Sequence, residues 1–292
     1  MVSDMASFYS PLRYPGGKQK LADFISQICV DNNIFGHYVE PYAGGASVAL
    51  QLLLTGKMSR ITINDLDRAI YAFWWAVINT SEELCKRVQD TSISVEEWYK
   101  QKAAFANKEH EGDLLKLGFA ALFLNRTNYS GVLNGGMIGG NKQKGAYKIN
   151  CRFNKEAIIQ RIKAIADFGD RIQATNLDAL DLIDSIESNA NTIFYFDPPY
   201  YIKGQCLYMN HYKRDDHRAV CERIMAIKNA QWIVSYDDTA EIHELYSGAK
   251  HFFNYKLRHS VHASRSGKET IFLSDGLHVG LKAKSLLVES CI

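Results

Sequence analysis

The stretch NTIFYFDPPYYIKG, residues 191 to 204, ends an apolar, β-branched and aromatic run in one carboxylate, two prolines and two tyrosines. Asp197 precedes a proline, which biases it to extended backbone. Pro198 and Pro199 fix two further φ angles and carry no N–H. The Asp197 carboxylate and the neighbouring carbonyls can therefore face outward as a rigid set of acceptors, with the Tyr200 ring as a flat surface behind them. Such a set fits an amino group on a planar ring. Two acceptors would take its two N–H bonds, localise the nitrogen lone pair for attack and leave the ring stacked on tyrosine. A plain strand terminator with core aromatics behind it is the alternative reading of the same residues.

A second set of candidates lies in EPYAGGASVAL, which contains Glu40, Tyr42 and Gly44. A glycine-bearing turn between a strand and a helix lets backbone approach a ligand closely. Gly44 and Gly45 lack the third glycine of a dinucleotide site, and Glu40 would repel phosphate but suit a cation. Asp65, in TINDLD, ends the next strand, where nucleotide-binding folds place an acid for ribose hydroxyls. S-adenosyl-L-methionine combines a ribose, an adenine and a positive charge. The alternative is a glycine turn for packing, with Asp65 as a helix N-cap.

Two successive strand-then-helix units must position these residues, which points to a parallel sheet with crossover helices. The first strand passes through Tyr38 and Val39 into a helix from about Ala46 closed by Gly56; RITINDLDRAIYAFWWAVINT repeats the pattern. Residues 81 to 163 break it. They read as helical to 124, with a capping box at Ser94 and Glu97, and then as a long Gly, Asn and basic segment with interleaved aromatics. Irregular stretches of that length tend to be functional. The α/β rhythm then resumes: RIQATNLDAL as strand and turn, TIFYFDPPY as strand, RDDHRAVCERIMAIKNA as helix, QWIVSYDD as strand, TAEIHELYSG as helix and a closing hairpin over 251 to 276.

The 292 residues are 47% hydrophobic and 23% charged with a formal charge of +2, a globular composition that demands no polyanionic partner. Six scattered cysteines without a CxxC pair, and no signal peptide, imply reduced thiols in the cytoplasm. No metal site is expected, since His259 and His262 lack further ligands at suitable spacing. The longest uncharged apolar run, AIYAFWWAVIN, is about half the roughly 20 residues that span a bilayer.

In combination, Asp-Pro-Pro-Tyr at 197 to 200, EPYAGGASV at 40 to 48 and RYPGGK at 13 to 18 resemble the Dam-type (D12 class) DNA adenine-N6 methyltransferases, and NRTNYSG, CRFN, IVSYDD and GKETIFLSDG extend the resemblance over about residues 9 to 276. The resemblance implies a Rossmann-like class I S-adenosylmethionine-dependent methyltransferase sheet, mostly parallel with an antiparallel edge hairpin. Its catalytic parts would be residues 1–80 and 164–292, separated by a mainly helical target-recognition insertion at 81–163. It implies S-adenosyl-L-methionine as cofactor, bound by Tyr14, Gly16, Gly17, Lys18, Glu40, Tyr42, Gly44, Asp65, Asn176, Leu177 and Asp178. It also implies a flipped-out adenine held by Asp197, Pro198, Pro199 and Tyr200. Double-stranded DNA would be the partner of a nucleoid-associated monomer or weak homodimer.

By the same resemblance Arg13 and Arg126 would contact DNA and Tyr129 would wedge into the base stack. Lys142, Lys144, Arg152, Arg258, Arg265 and Lys268 are phosphate candidates by charge alone, and ordinary solvated cations otherwise. Asn134 stands where GATC-methylating members carry a guanine-reading arginine, so GATC is not implied as the target. RNA, a protein glutamine and cytosine N4 are rival substrates of a similar site, and an inactive DNA-binding relative is the non-enzymatic rival.

Overall fold

A computed structural model of the chain describes residues 9–13, 19–201, 212–258 and 266–289. The candidates Tyr14, Gly16, Gly17, Lys18 and Arg265, and the pair His259 and His262, lie outside them. In chain order the first elements are α1 (Gln19–Asp31), β1 (His37–Glu40), α2 (Ser47–Leu54), β2 (Arg60–Asn64) and α3 (Arg68–Asn79). The helix expected from about Ala46 starts one residue later, with Ala46 in left-handed backbone as its N-cap. The side chain of Asp67, not Asp65, caps α3 by accepting from the Ala69 N–H at 2.9 Å.

Between α3 and the next strand come α4 (Ser81–Asp90), α5 (Val95–Ala106), α6 (Leu114–Thr127) and α7 (Lys155–Ala166). Ser94 caps α5 by accepting from Glu97 N–H at 3.1 Å, and Asp113 caps α6 by accepting from Lys116 N–H at 2.9 Å. Every residue of α6 from Leu117 to Thr127 is buried. At Gly118 the helix lies so close to α3 that a Cβ would sit 2.5 Å from the Ala72 carbonyl oxygen. These helices therefore share their core with the sheet-covering helix α3.

The chain then runs through β3 (Ile172–Thr175), α8 (Ala179–Ser185), β4 (Thr192–Phe196), α9 (Arg214–Met225), β5 (Gln231–Asp237), α10 (Ala240–Leu245), β6 (His251–Arg258), β7 (Ser266–Leu273) and α11 (Leu281–Glu289). Where the sequence suggested only a turn after β3, Asp178 accepts from Leu180 N–H at 2.8 Å and starts α8, which buries Leu182.

Among the described residues seven strands form one sheet, in the order β3-β2-β1-β4-β5-β7-β6. β1 pairs in parallel with β2 and β4, β2 with β3, and β4 with β5; β7 is antiparallel to both β5 and β6. The sheet is Rossmann-like, mostly parallel, with an antiparallel edge. Its inner strands are apolar on both faces because both are covered. Tyr38, Ile193, Tyr195, Ile233 and Ile271 pack with α1, α2 and α3 on one side, and Val39, Phe194, Trp232, Val234 and Phe272 with residues of α8, α9 and α10 on the other. No described helix is long and apolar enough to cross a membrane.

Candidate active site

The strand order reverses between β1 and β4. Open α/β sheets bind ligands in the crevice at such a switch point, beyond the carboxyl ends of the strands. Glu40 ends β1 there and Asp197 follows β4.

Glu40 is 4% exposed, and its carboxylate accepts from the Ala49 N–H at 3.3 Å in the first turn of α2, where the helix dipole favours negative charge. The turn between them takes positive φ at Gly44 and Ala46. It is gripped from both sides: Gly44 N–H donates to Asp65 Oδ2 at 2.9 Å, and the Gly44 carbonyl accepts from the Trp74 indole at 2.9 Å. Asp65 Oδ1 also accepts from Asp67 N–H at 2.9 Å. Burial pushes the Asp65 carboxyl up to about 7, and the neighbouring Asp67 charge adds to this against the opposing pull of the two N–H donors.

Asn64, 1% exposed, ties three loops together at this edge. Its Nδ2 donates to the carbonyls of Pro41 and Leu177, and its Oδ1 accepts from Leu177 N–H and the Thr175 hydroxyl. Asn176 Nδ2 donates to the Asp65 carbonyl at 2.7 Å, and Leu177 is exposed on the surface beside it. Asp178 serves as the α8 cap. Tyr42 shares a 2.9 Å hydroxyl contact with Tyr212, just before α9.

Beyond β4, Asp197 is half-buried and its Oδ1 accepts from the Ser235 hydroxyl at 3.0 Å; Ser235 in turn meets the Tyr195 hydroxyl at 2.9 Å. Pro198 is buried and Pro199 half-buried. The Tyr200 hydroxyl donates to Glu269 Oε1 at 2.6 Å, and Tyr201 N–H donates to Asp237 Oδ1 at 2.9 Å. Tyr200 is 8% exposed. Strands β5 and β7 thus hold three consecutive features of the turn: the acid, the ring and the next backbone amide.

The model of the D12 class N6 adenine-specific DNA methyltransferase family matches residues 14–261. The chain belongs to that family. The type II methyltransferase M.MjaIII of Methanocaldococcus jannaschii is 25% identical over 202 residues, 65% of this chain and 68% of that protein. Among solved structures, protein LPL1258 of Legionella pneumophila covers 92% of this chain and 91% of its own at 8% identity, with a TM-score of 0.36. That of SMU.472 complexed with SAH covers 68% and 57% at 13% identity, with a TM-score of 0.28. The family match makes the chain a DNA methyltransferase of the D12 class.

The residues that the sequence assigned to DNA divide into exposed and buried ones. Tyr129, on a 3-10 turn after α6, is 54% exposed, and its hydroxyl accepts from Gly139 N–H at 3.2 Å. Lys142 and Lys144 are exposed and line an open groove of about 680 Å³ with Trp98, Tyr99, Met137 and Asn141. Asn134 is exposed near Lys102, whose ammonium donates to the Leu133 carbonyl. Arg152 and Lys268 are exposed, and Arg258 ends β6.

Arg126 departs from the expected direct DNA contact. It is 9% exposed, and its guanidinium donates through Nε and Nη2 to the Pro11 carbonyl, bracing the segment that carries Arg13. Burial, then Arg161 and Arg13, bring its pKa down to about 9. Arg13 is partly buried with an enclosed Nη1 that has no hydrogen-bond partner, and burial followed by Arg152 lowers its pKa. Among the described residues no carboxylate pairs with Arg13, Arg126, Arg152 or Arg161.

Ser235, Glu269, Asn64 and Asn125 do not stand out in the sequence because each is an ordinary polar residue in or beside an apolar element. Their only local signal is polarity at a position whose strand or helix neighbours are core residues.

Proposed function

We propose that the chain transfers a methyl group from S-adenosyl-L-methionine to the exocyclic N6 of an adenine turned out of duplex DNA. The observation that carries this reading is Asp197, half-buried on a rigid Pro-Pro turn and braced by Ser235, beyond β4 at the switch point where β1 ends in the buried Glu40. The D12 class membership supports the adenine.

The donor set fits a cationic nucleoside. Glu40 puts a carboxylate at the end of β1, and Asp65 another at the end of β2 with acceptor capacity beyond its two N–H donors. Glu40, Tyr42, Gly44, Asp65, Asn176, Leu177 and Asp178 would hold the group. When bound, S-adenosylmethionine supplies a sulfonium-activated methyl.

The Asp197 carboxylate and the Pro198 carbonyl take the two N–H bonds of the amine, which leaves the nitrogen lone pair free to attack. With the cofactor held there, displacement would join the amine nitrogen to the methyl carbon and leave the C–S electron pair on sulfur, and the surplus proton would pass from the alkylated nitrogen to the Asp197 carboxylate and on to solvent. The adenine amine becomes acidic only once alkylated, so Asp197 acts by polarising and orienting the amine rather than as a strong base. Tyr200 offers the stacking ring. The amine is paired inside a duplex, which makes base extrusion a requirement of the reaction. Residues 81–163 act as the target-recognition part, with Tyr129 as wedge and Arg13, Lys142, Lys144 and Arg152 on the backbone.

Incubation of the protein with labelled S-adenosylmethionine and unmethylated genomic DNA, followed by nucleoside mass spectrometry, tests this reading. N6-methyladenine is the expected product. N4-methylcytosine, or no methylated base with cofactor still bound, overturns it.

A further inference from the structure

Glu269 stands inside the sheet on β7, opposite Asp237 on β5 and Tyr255 on β6, and is fully buried. Taking a carboxylate out of water is unfavourable unless partners replace the lost hydration, so its partners reveal what the position does. Two tyrosine hydroxyls donate to it: Tyr200 to Oε1 at 2.6 Å, and Tyr255 to Oε2. Sheet stability alone would be served by an aliphatic side chain such as Ile271, two residues along the same face. Tyr255 meets Oε2 from the edge strand, and Tyr200 meets Oε1 from the turn after β4.

A hydrogen bond at the para oxygen fixes the long axis of a tyrosine ring. Because a phenolic O–H lies in the ring plane, the bond also biases the ring's roll. Asp237 takes the backbone N–H of Tyr201, so two carboxylates paired across β5 and β7 hold successive residues of one turn. We propose that Glu269 is a positioning residue of the methyl-transfer site, holding the Tyr200 ring, through its hydroxyl, at the angle on which the target base stacks. This rests on the assignment of residues 197 to 200 to the target amine.

The test compares wild type with Glu269→Leu, Glu269→Gln, Tyr200→Phe and Tyr255→Phe in steady-state methylation of plasmid DNA. Glu269→Leu and Tyr200→Phe should lower kcat about tenfold or more while both KM values stay within about threefold, because a misplaced platform affects the reacting geometry more than ground-state binding. Glu269→Gln, which keeps one carbonyl acceptor, should recover part of the loss, and Tyr255→Phe should cost least. A folded Glu269→Leu with wild-type kcat overturns the proposal. Where that variant does not fold, Tyr200→Phe, which removes a single hydroxyl, decides in the same way.

The 19F spectrum of protein labelled with 3-fluorotyrosine reads the ring without any substrate. The Tyr200 resonance, identified by its loss in Tyr200→Phe, should shift or broaden in Glu269→Gln. An unchanged resonance overturns the positioning role whatever the activity. A wild type that makes no N6-methyladenine overturns the functional reading instead, and the fluorine spectrum still decides the Glu269 to Tyr200 link.

Discussion

The Asn125 carboxamide grips the backbone of Arg13 in both directions: Oδ1 accepts from the Arg13 N–H at 2.6 Å, and Nδ2 donates to its carbonyl at 2.7 Å. The same Nδ2 donates to the Gly131 carbonyl at 2.9 Å, so one buried side chain ties the segment that carries Arg13 to the turn that presents Tyr129. Gly131 takes φ of 76°, and a Cβ there would meet the Arg13 carbonyl at 2.5 Å. Asn125→Ala leaves a buried N–H and two carbonyls without partners, each worth about 1–3 kcal/mol. It should therefore lower stability in urea titrations and weaken duplex DNA binding in the same variant. Unchanged DNA affinity would show that the link between Arg13 and the turn has no bearing on recognition.

Asp197→Ala should reduce kcat by about a hundredfold or more, as loss of a preorganised polar group at a reacting atom does. Cofactor affinity should stay within about threefold, since Glu40 and Asp65 lie on other strands. Calorimetric titration with S-adenosylmethionine separates the two effects. Lost cofactor binding in a folded variant would move Asp197 to a different role.

Asp65 gives the chain a dependence on pH. Its carboxyl titrates near 4 in the unfolded chain and near 7 in the fold. Between those values the folded state carries the extra proton, so this group's contribution is full below the lower value and is lost as pH rises through the upper one. The melting temperature of Asp65→Asn should gain on that of wild type between about pH 4 and about pH 7. Ribose hydroxyls donate best to the ionised form, so cofactor affinity in wild type should strengthen over the same interval, while the variant stays flat. Parallel melting curves across that range would rule out the shifted carboxyl.

Gly118→Ala places a methyl 2.5 Å from Ala72 O, 2.8 Å from its carbonyl carbon and 2.9 Å from Phe73 Cα, all of them backbone atoms that cannot rotate aside. The helix-propensity gain of about 1 kcal/mol is outweighed by overpacking of about 1–3 kcal/mol together with displacement of α6 from α3. A lower melting temperature is expected. An equal or higher value would mean that the two helices separate easily.

Much of the sheet was legible because its inner strands are short apolar runs between turn residues, and TIFYF and WIVSY could be read directly. α1 and α11 were not read. In α8 a seven-residue helix hid behind a turn signal, since an Asp that caps a helix is also a residue that favours turns. The Asp-Pro-Pro-Tyr turn was legible as a candidate site because proline and carboxylate act locally. Its support was not: Ser235, Asp237 and Glu269 matter through hydrogen bonds to residues far away in the chain, which spacing alone does not reveal. Arg126 shows the reverse case, in which a charge that looked available for DNA is enclosed on the Pro11 carbonyl by packing that only the fold creates.

The clamp on the acidic turn also sets an order of assembly. Asp197 waits for a residue 38 positions later, Tyr201 for one 36 later and Tyr200 for one 69 later. Contacts so distant along the chain carry a loop-closure cost that delays them in folding. A chain still emerging from the ribosome can form β1, β2 and the helices α4 to α7 while the turn at 197 to 201 still lacks its partners on β5 and β7. The last described strand to be synthesised, β7, thus completes the hold on a turn that left the ribosome three strands earlier, after β4.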